Sequence, residues 1–205
     1  GGYRKTPFLQ IGSHIYCDTA LICDVLERVA PNPSLYPAHG KGLARVLAQW
    51  ADDKLFWAAM AYNFHPKGAA QMFGGGPPEQ WGQMAKVFAD DRALMRVGMA
   101  RLPFADAAAA YKSYLRRLAN MLDGQAYLMG DVATLADFAA YHPLWFTRTR
   151  TTAMAGILDE FPTVLAWMDN VAAIGHGQVQ EMSAVDAIAH CAASPDMGAI
   201  LGSEP

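Results

Sequence analysis

Residues 30–37, Ala-Pro-Asn-Pro-Ser-Leu-Tyr-Pro, place three prolines within seven positions. No regular helix or central strand runs through such a segment, because each proline lacks an N–H and its ring clashes with the preceding turn. The chain is divided there. Ahead of the division, Phe8-Leu9-Gln10-Ile11 and His14-Ile15-Tyr16 are short, β-prone runs separated by the turn-type pair Gly12-Ser13, and they read as an antiparallel hairpin. Asp18 to Val29 follows with Leu21, Ile22, Val25, Leu26 and Val29 on one helical stripe, and Asp18 stands where an N-cap belongs. A two-stranded hairpin is not a stable sheet alone, so further strands are expected to pair with it.

Beyond the prolines every strong signal is helical. Lys41 to Asn63 carries Leu43, Val46, Leu47, Trp50 and Leu55 at helical spacing, and Pro77-Pro78 opens a second long pattern towards Arg101; the two are expected to pack as an antiparallel pair. Between them, His65 to Gly76 ends in three glycines without the Gly-Lys-Ser/Thr tail of a phosphate loop, and it reads as a plain flexible connection. A third helix spans Phe104 to Asp123, with Gly124 as its C-terminal glycine. Thr134 and Asp137 have the spacing of a capping box. Further helices are expected over Thr163 to Ile174 and Ser183 to Ala193. The expected division is 1–30 as the C-terminal part of an α/β domain, 31–40 as linker and 41–205 as an all-helical domain.

Charge and cysteine usage exclude several function classes. A net charge of -3, with both signs spread along the chain, gives no footprint for nucleic acid or an anionic membrane surface. Small molecules or protein partners are the expected ligands. The longest apolar stretch, Leu55 to Tyr62, is far shorter than the roughly 20 residues that span a bilayer, so no transmembrane helix is expected. Cys17, Cys23 and Cys191 form neither a CxxC pair nor a zinc-type spacing, which argues against a disulfide framework and fits a reducing cytoplasm. The six histidines show no HxH or HExxH spacing, and no metal is expected. His142-Pro143 and His65-Pro66 read as helix bends or ends.

The order of these elements resembles the cytosolic glutathione transferase superfamily, in which a thioredoxin-like domain precedes an all-helical one; the likeness is to its bacterial GST-like members. Thr6-Pro7-Phe8-Leu9 is similar to the Val-Pro-x-Leu element whose proline is cis. Asp18-Thr19 is similar to the acidic-hydroxyl pair at the start of the third helix of that domain. Trp50 and Asp53 fall on the helix that opens the second domain, and Gly130 to Asp137 is similar to its buried capping box. The motifs are short, but their order and spacing coincide along most of the chain.

The resemblance implies glutathione as co-substrate, with Thr6, Pro7, Asp18 and Thr19 around it. A cis bond before Pro7 would turn the Thr6 N–H and C=O towards the cysteinyl unit, as a strand edge does. The Thr19 hydroxyl and amide at a helix start would hold the γ-glutamyl carboxylate, and Asp18 would face its ammonium. Duller readings stand beside these: Asp18 as a cap only, Pro7 as a trans edge proline, Cys17 as a small buried filler, and Thr134 with Asp137 as purely structural. Trp57, Met60 and Phe64 are candidates to touch a small hydrophobic electrophile, although most such residues are core. In the resembled family the group that activates the thiol lies upstream of the matched elements, so the first strand, helix and strand are expected to be absent from 1–205 and no catalytic residue is assigned. The activity implied is transfer of an alkyl or aryl group to glutathione by a homodimer. The alternatives are a non-enzymatic binding or dimerisation module and a narrow glutathione-dependent dehalogenase, lyase or thiol reductase.

Overall fold

The computed structural model describes residues 6–37, 39–74, 77–91, 93, 102–196 and 198. Its elements in order are β1 (Phe8–Ile11), β2 (His14–Cys17), α1 (Thr19–Val29), α2 (Lys41–Trp50), α3 (Phe56–Asn63), α4 (Pro66–Phe73), α5 (Pro78–Asp91), α6 (Phe104–Met121), α7 (Leu135–Thr149), α8 (Pro162–Ala173) and α9 (Ala184–Ala193). Two compact units result, one of Gly1–Leu35 with His176–Pro205 and one of Tyr36–Gly175. Of the stretch from His176 onward, the described residues 176–196 and 198 cluster with the N-terminal elements.

In the first unit β1 and β2 pair antiparallel, Phe8 opposite Cys17 and Ile11 opposite His14, around the Gly12-Ser13 turn. Gly12 has φ 57, which its missing side chain permits. Helix α1 begins at Asp18, whose carboxylate accepts from Ala20 N at 3.0 Å, and it buries Ile22 and Val25. The proline segment is fixed from α1: Glu27 accepts from Leu35 N at 2.8 Å and from the Ser34 hydroxyl.

In the helical unit the long pattern from Lys41 to Asn63 is continuous but not uniform. A π-helical turn, Ala51–Leu55, separates α2 from α3. Ala51 and Leu55 at its two ends are both fully buried. Helix α3 packs mainly on α6 and α7, whereas α5 packs mainly on α4. The helix expected from Pro77-Pro78 is described as far as Asp91; its continuation towards Arg101 lies outside the described residues.

The segment His65 to Gly76 is not a plain connection but contains α4. The His65 Nδ1 accepts from Lys67 N at 3.3 Å, and Pro66 takes the first helical position, where a missing N–H costs nothing. Gln71 anchors the helix by accepting from Ala153 N at 2.9 Å and donating to the Thr152 hydroxyl. Likewise, Pro143 does not end its helix: α7 continues through it to Thr149.

The core of this unit is built from Leu55, Tyr111, Leu115, Leu118, Leu144, Val164, Trp167 and Met168, all at most 1% exposed. Beside it lies a buried polar knot. Thr147 donates to the Pro143 carbonyl at 3.0 Å, so its hydroxyl receives both the Tyr111 hydroxyl and the Asn63 amide, each at 2.9 Å. Thr151 donates to Asn63 Oδ1 at 3.1 Å. Burial pushes the Tyr111 hydroxyl well above the usual phenol range, so it stays a neutral donor.

Candidate functional site

The hairpin register decides which of the polar residues flagged by the sequence come together. Phe8 pairs with Cys17 at the open end of the ladder. Pro7 and Asp18 are the residues next to that pair along the chain, just outside the ladder, and Thr6 and Thr19 follow them. Residues eleven or more positions apart in sequence thus lead off from the same end of the hairpin. All four are exposed, and the Thr6–Pro7 bond is cis.

Asp18 has φ 80 and ψ 120, and it is the one non-glycine residue with positive φ among those described. Such a backbone costs roughly 1–3 kcal/mol and persists only where its surroundings impose it, which is typical of ligand clamps. Here the strand direction of β2 and the start of α1 impose it: the chain turns from ladder to helix in one residue. The Asp18 carbonyl then takes the first helical bond from Ile22 N at 2.9 Å, and one side-chain oxygen caps Ala20 N. Thr19, the first residue of α1, presents an exposed hydroxyl at the positive end of the helix.

Cys17 lies in β2 and is partly buried; Cys17, Cys23 and Cys191 form no disulfide. No group of three or more metal-ligating side chains occurs among the described residues.

The three apolar candidates belong to the helical unit. Met60 is a core residue, 7% exposed. Trp57 is partly buried and sets its ring edge-on to Phe56 at 5.2 Å. Phe64 lies among Phe73, Phe88 and Phe146, with ring centroids 6.3, 5.4 and 6.3 Å away. Nearby Tyr62 stacks on Phe104 at 5.5 Å and donates to the Met154 carbonyl at 3.2 Å. Burial raises the Tyr62 hydroxyl pKa, against the opposing pull of Lys112, so this surface offers apolar rings and no phenolate.

Thr134 and Asp137 form a capping box at the start of α7. Asp137 is fully buried and accepts from Thr134 N at 2.8 Å, the Thr134 hydroxyl at 3.0 Å, Leu128 N at 2.8 Å and Trp167 Nε1 at 2.9 Å. The sequence spacing signalled the first two partners. It carried no signal for Leu128 or Trp167, nor for Gln10, Ser13 and His14, which tie the hairpin to the C-terminal segment; those contacts span about 180 residues and follow no local period.

Residues 104–174 match the glutathione S-transferase C-terminal domain family. No curated protein matches the chain. Among solved structures, a GST-like protein from Pseudomonas syringae is 30% identical, with a TM-score of 0.73 over 100% of this chain and 61% of its own length. The chain thus spans about three fifths of that relative. The β-etherase LigF from Sphingobium sp. strain SYK-6 is 22% identical with a TM-score of 0.55, covering 78% of this chain and 70% of its own. A glutathione S-transferase III in apo form is 17% identical with a TM-score of 0.55, covering 98% and 76%. The last two likenesses concern the fold.

Proposed function

From the premise that this chain belongs to the glutathione transferase superfamily, we propose that it binds glutathione at the open end of its hairpin and promotes attack of the thiolate on a small hydrophobic electrophile. The observations that support this reading are that Pro7 and Asp18 both adjoin the Phe8–Cys17 pair at the open end of the hairpin, and that Asp18 is held at positive φ ahead of Thr19 at the start of α1. Thr6 offers backbone groups to the cysteinyl unit, Thr19 its hydroxyl and the helix start to the γ-glutamyl carboxylate, and Asp18 a carboxylate oxygen to the ammonium. The residues fit a zwitterionic ligand, because an acceptor and a helix N-terminus stand side by side.

Glutathione supplies the nucleophile. Its thiol gives up a proton, the sulfur forms a bond to an electrophilic carbon, and the leaving group departs with the bonding electrons. This chain's share is to hold the tripeptide so that its sulfur has one approach, which raises the effective concentration of the reacting pair. Trp57 and Phe64 are the residues assigned to the electrophile's apolar body, with Met60 backing them from the core. A homodimer in the cytoplasm is the expected form of the protein. Among the described residues no helix is long and apolar enough to cross a membrane.

The test is calorimetric titration with glutathione, followed by assay of glutathione conjugation to an aryl halide. Saturable binding together with an aryl thioether product supports the whole reading. Binding without turnover on a panel of aryl halides, alkyl halides and aryl ethers would mark a binding protein, and absence of binding removes the glutathione reading altogether.

A further inference from the structure

Within residues 1–205 none of the eight strand residues of the hairpin is buried, and Ile22 and Val25 of α1 are the buried apolar residues among those described in its unit. The C-terminal segment supplies polar contacts to the hairpin. Gln10 Nε2 donates to the Ala187 carbonyl at 2.9 Å, the Ser13 hydroxyl donates to the Pro195 carbonyl at 3.2 Å, and Cys191 Sγ donates to the Ser13 carbonyl at 3.5 Å. His14 Nε2 lies 3.1 Å from Asp196 Oδ1. These contacts bracket the Gly12-Ser13 turn, from β1, through the turn itself, to β2.

The segment is itself lightly held. Helix α9 has no buried residue, and Val185 and Ile188 are 75% and 70% exposed. Its N-terminus is closed locally by Ser183, which accepts from Asp186 N at 3.1 Å, so the helix is formed by its own cap and attached by a handful of bonds. An element of this kind opens at low cost.

We propose that residues 183–196 are a strap on the hairpin turn, and that attachment of the strap sets how tightly the other end of the same hairpin grips glutathione. The proposal rests on the glutathione reading of Thr6, Asp18 and Thr19. A hairpin is stiff along its ladder, so fixing the turn fixes the angle between Pro7 and Asp18 about four residue pairs, roughly 14 Å, away. With the strap detached the binding-competent hairpin is populated only part of the time, and apparent affinity falls by that fraction.

Two measurements on the full-length protein decide it: amide hydrogen exchange over residues 8–17, and glutathione affinity by calorimetry. Each is made on a truncation ending at Met182 and on the variants Gln10→Ala, Ser13→Ala and Ser13→Thr. Truncation is expected to speed exchange in the hairpin at least about tenfold and to weaken glutathione binding roughly three- to tenfold, while the helical unit keeps its unfolding midpoint. Gln10→Ala and Ser13→Ala should each show a part of both effects, and Ser13→Thr, which keeps the hydroxyl, should behave as the parent. Unchanged exchange in the truncated and alanine variants overturns the strap. Faster exchange at unchanged affinity overturns its coupling to the site. Should the intact protein not bind glutathione at all, the ligand reading falls and the coupling with it, while hairpin exchange still decides whether the strap holds.

Discussion

The indole of Trp167 in α8 donates to the buried carboxylate of Asp137 in α7 at 2.9 Å, and the second oxygen of that carboxylate takes the Thr134 amide at 2.8 Å. One side chain therefore caps α7, holds the 127–130 turn through Leu128 N and locks two helices of the core together.

Substituting Asp137 tests that reading. Asp137→Ala strands four donors in a dry interior, each costing about 1–3 kcal/mol when left without an acceptor, so a loss of at least about 3 kcal/mol is expected. Asp137→Asn keeps one acceptor oxygen but points an amide at donors, and it should fall between the parent and the alanine variant. Urea unfolding followed by tryptophan fluorescence and by circular dichroism gives both values. An Asp137→Ala protein within 1 kcal/mol of the parent would contradict the structure here.

The Thr147 knot makes a second, separable prediction. Its hydroxyl is saturated by one donation and two acceptances, so Thr147→Val leaves the Tyr111 hydroxyl and the Asn63 amide short of a partner at about 2 kcal/mol. Tyr111→Phe removes one of those orphans in advance. The double variant should thus be less destabilised than the sum of the singles, by about 1 kcal/mol, because the residues share one bond. Strict additivity in the unfolding free energies would show that the bond has no energetic weight.

Much of this architecture was legible in the chain. The hairpin, α1, α6 and the capping box follow from local rules: a turn dipeptide between β-prone runs, an Asp before an apolar stripe, a glycine after one, an acidic residue three after Thr134. The elements that escaped are those whose cause is tertiary. Helix α4 was hidden behind Gly68 and the glycines that follow it, and forms because Gln71 finds Thr152 and Ala153 from across the unit. The π-helical turn after Trp50 leaves no mark on a 3.6-residue period, since Asp52, Asp53 and Lys54 simply face outward. At the candidate site the types of residue were legible, and so was their order; the positive φ of Asp18 was not, because aspartate at a helix start reads as an ordinary cap.

That backbone gives a prediction in which stability and affinity part company. Asp18→Ala removes the cap, at about 1 kcal/mol, and leaves a residue less tolerant of φ 80. Asp18→Gly loses the same side chain but relieves the strain, so it should be as stable as the parent or slightly more so. Both variants lack the carboxylate proposed to face the ammonium, and both should weaken glutathione binding by about tenfold. Thermal unfolding and calorimetric titration of the pair are the measurements. An Asp18→Gly protein that is destabilised yet binds glutathione as tightly as the parent would mean that the side chain matters to the helix and not to the ligand.

Gly68 in α4 offers the last prediction, because helix propensity and packing give it opposite signs. Propensity alone favours alanine in a helix interior by about 1 kcal/mol. A Cβ at this position, however, would meet the Asn63 carbonyl oxygen at 2.0 Å and the Met154 side chain at 3.0 Å. The first neighbour does not yield easily: it is backbone at the end of α3, and Asn63 is tied to Thr147 and Thr151 through its side chain. Overpacking of this order typically costs 1–3 kcal/mol. Gly68→Ala should therefore lower stability by about 1–2 kcal/mol net and pull α4 from Thr152, whereas Gly42→Ala, in α2 with nothing within 4 Å of its Cβ, should raise it by up to about 1 kcal/mol. Chemical unfolding of the two variants side by side distinguishes close packing from propensity, and a stabilised Gly68→Ala protein would show that α4 stands off from Asn63 in solution.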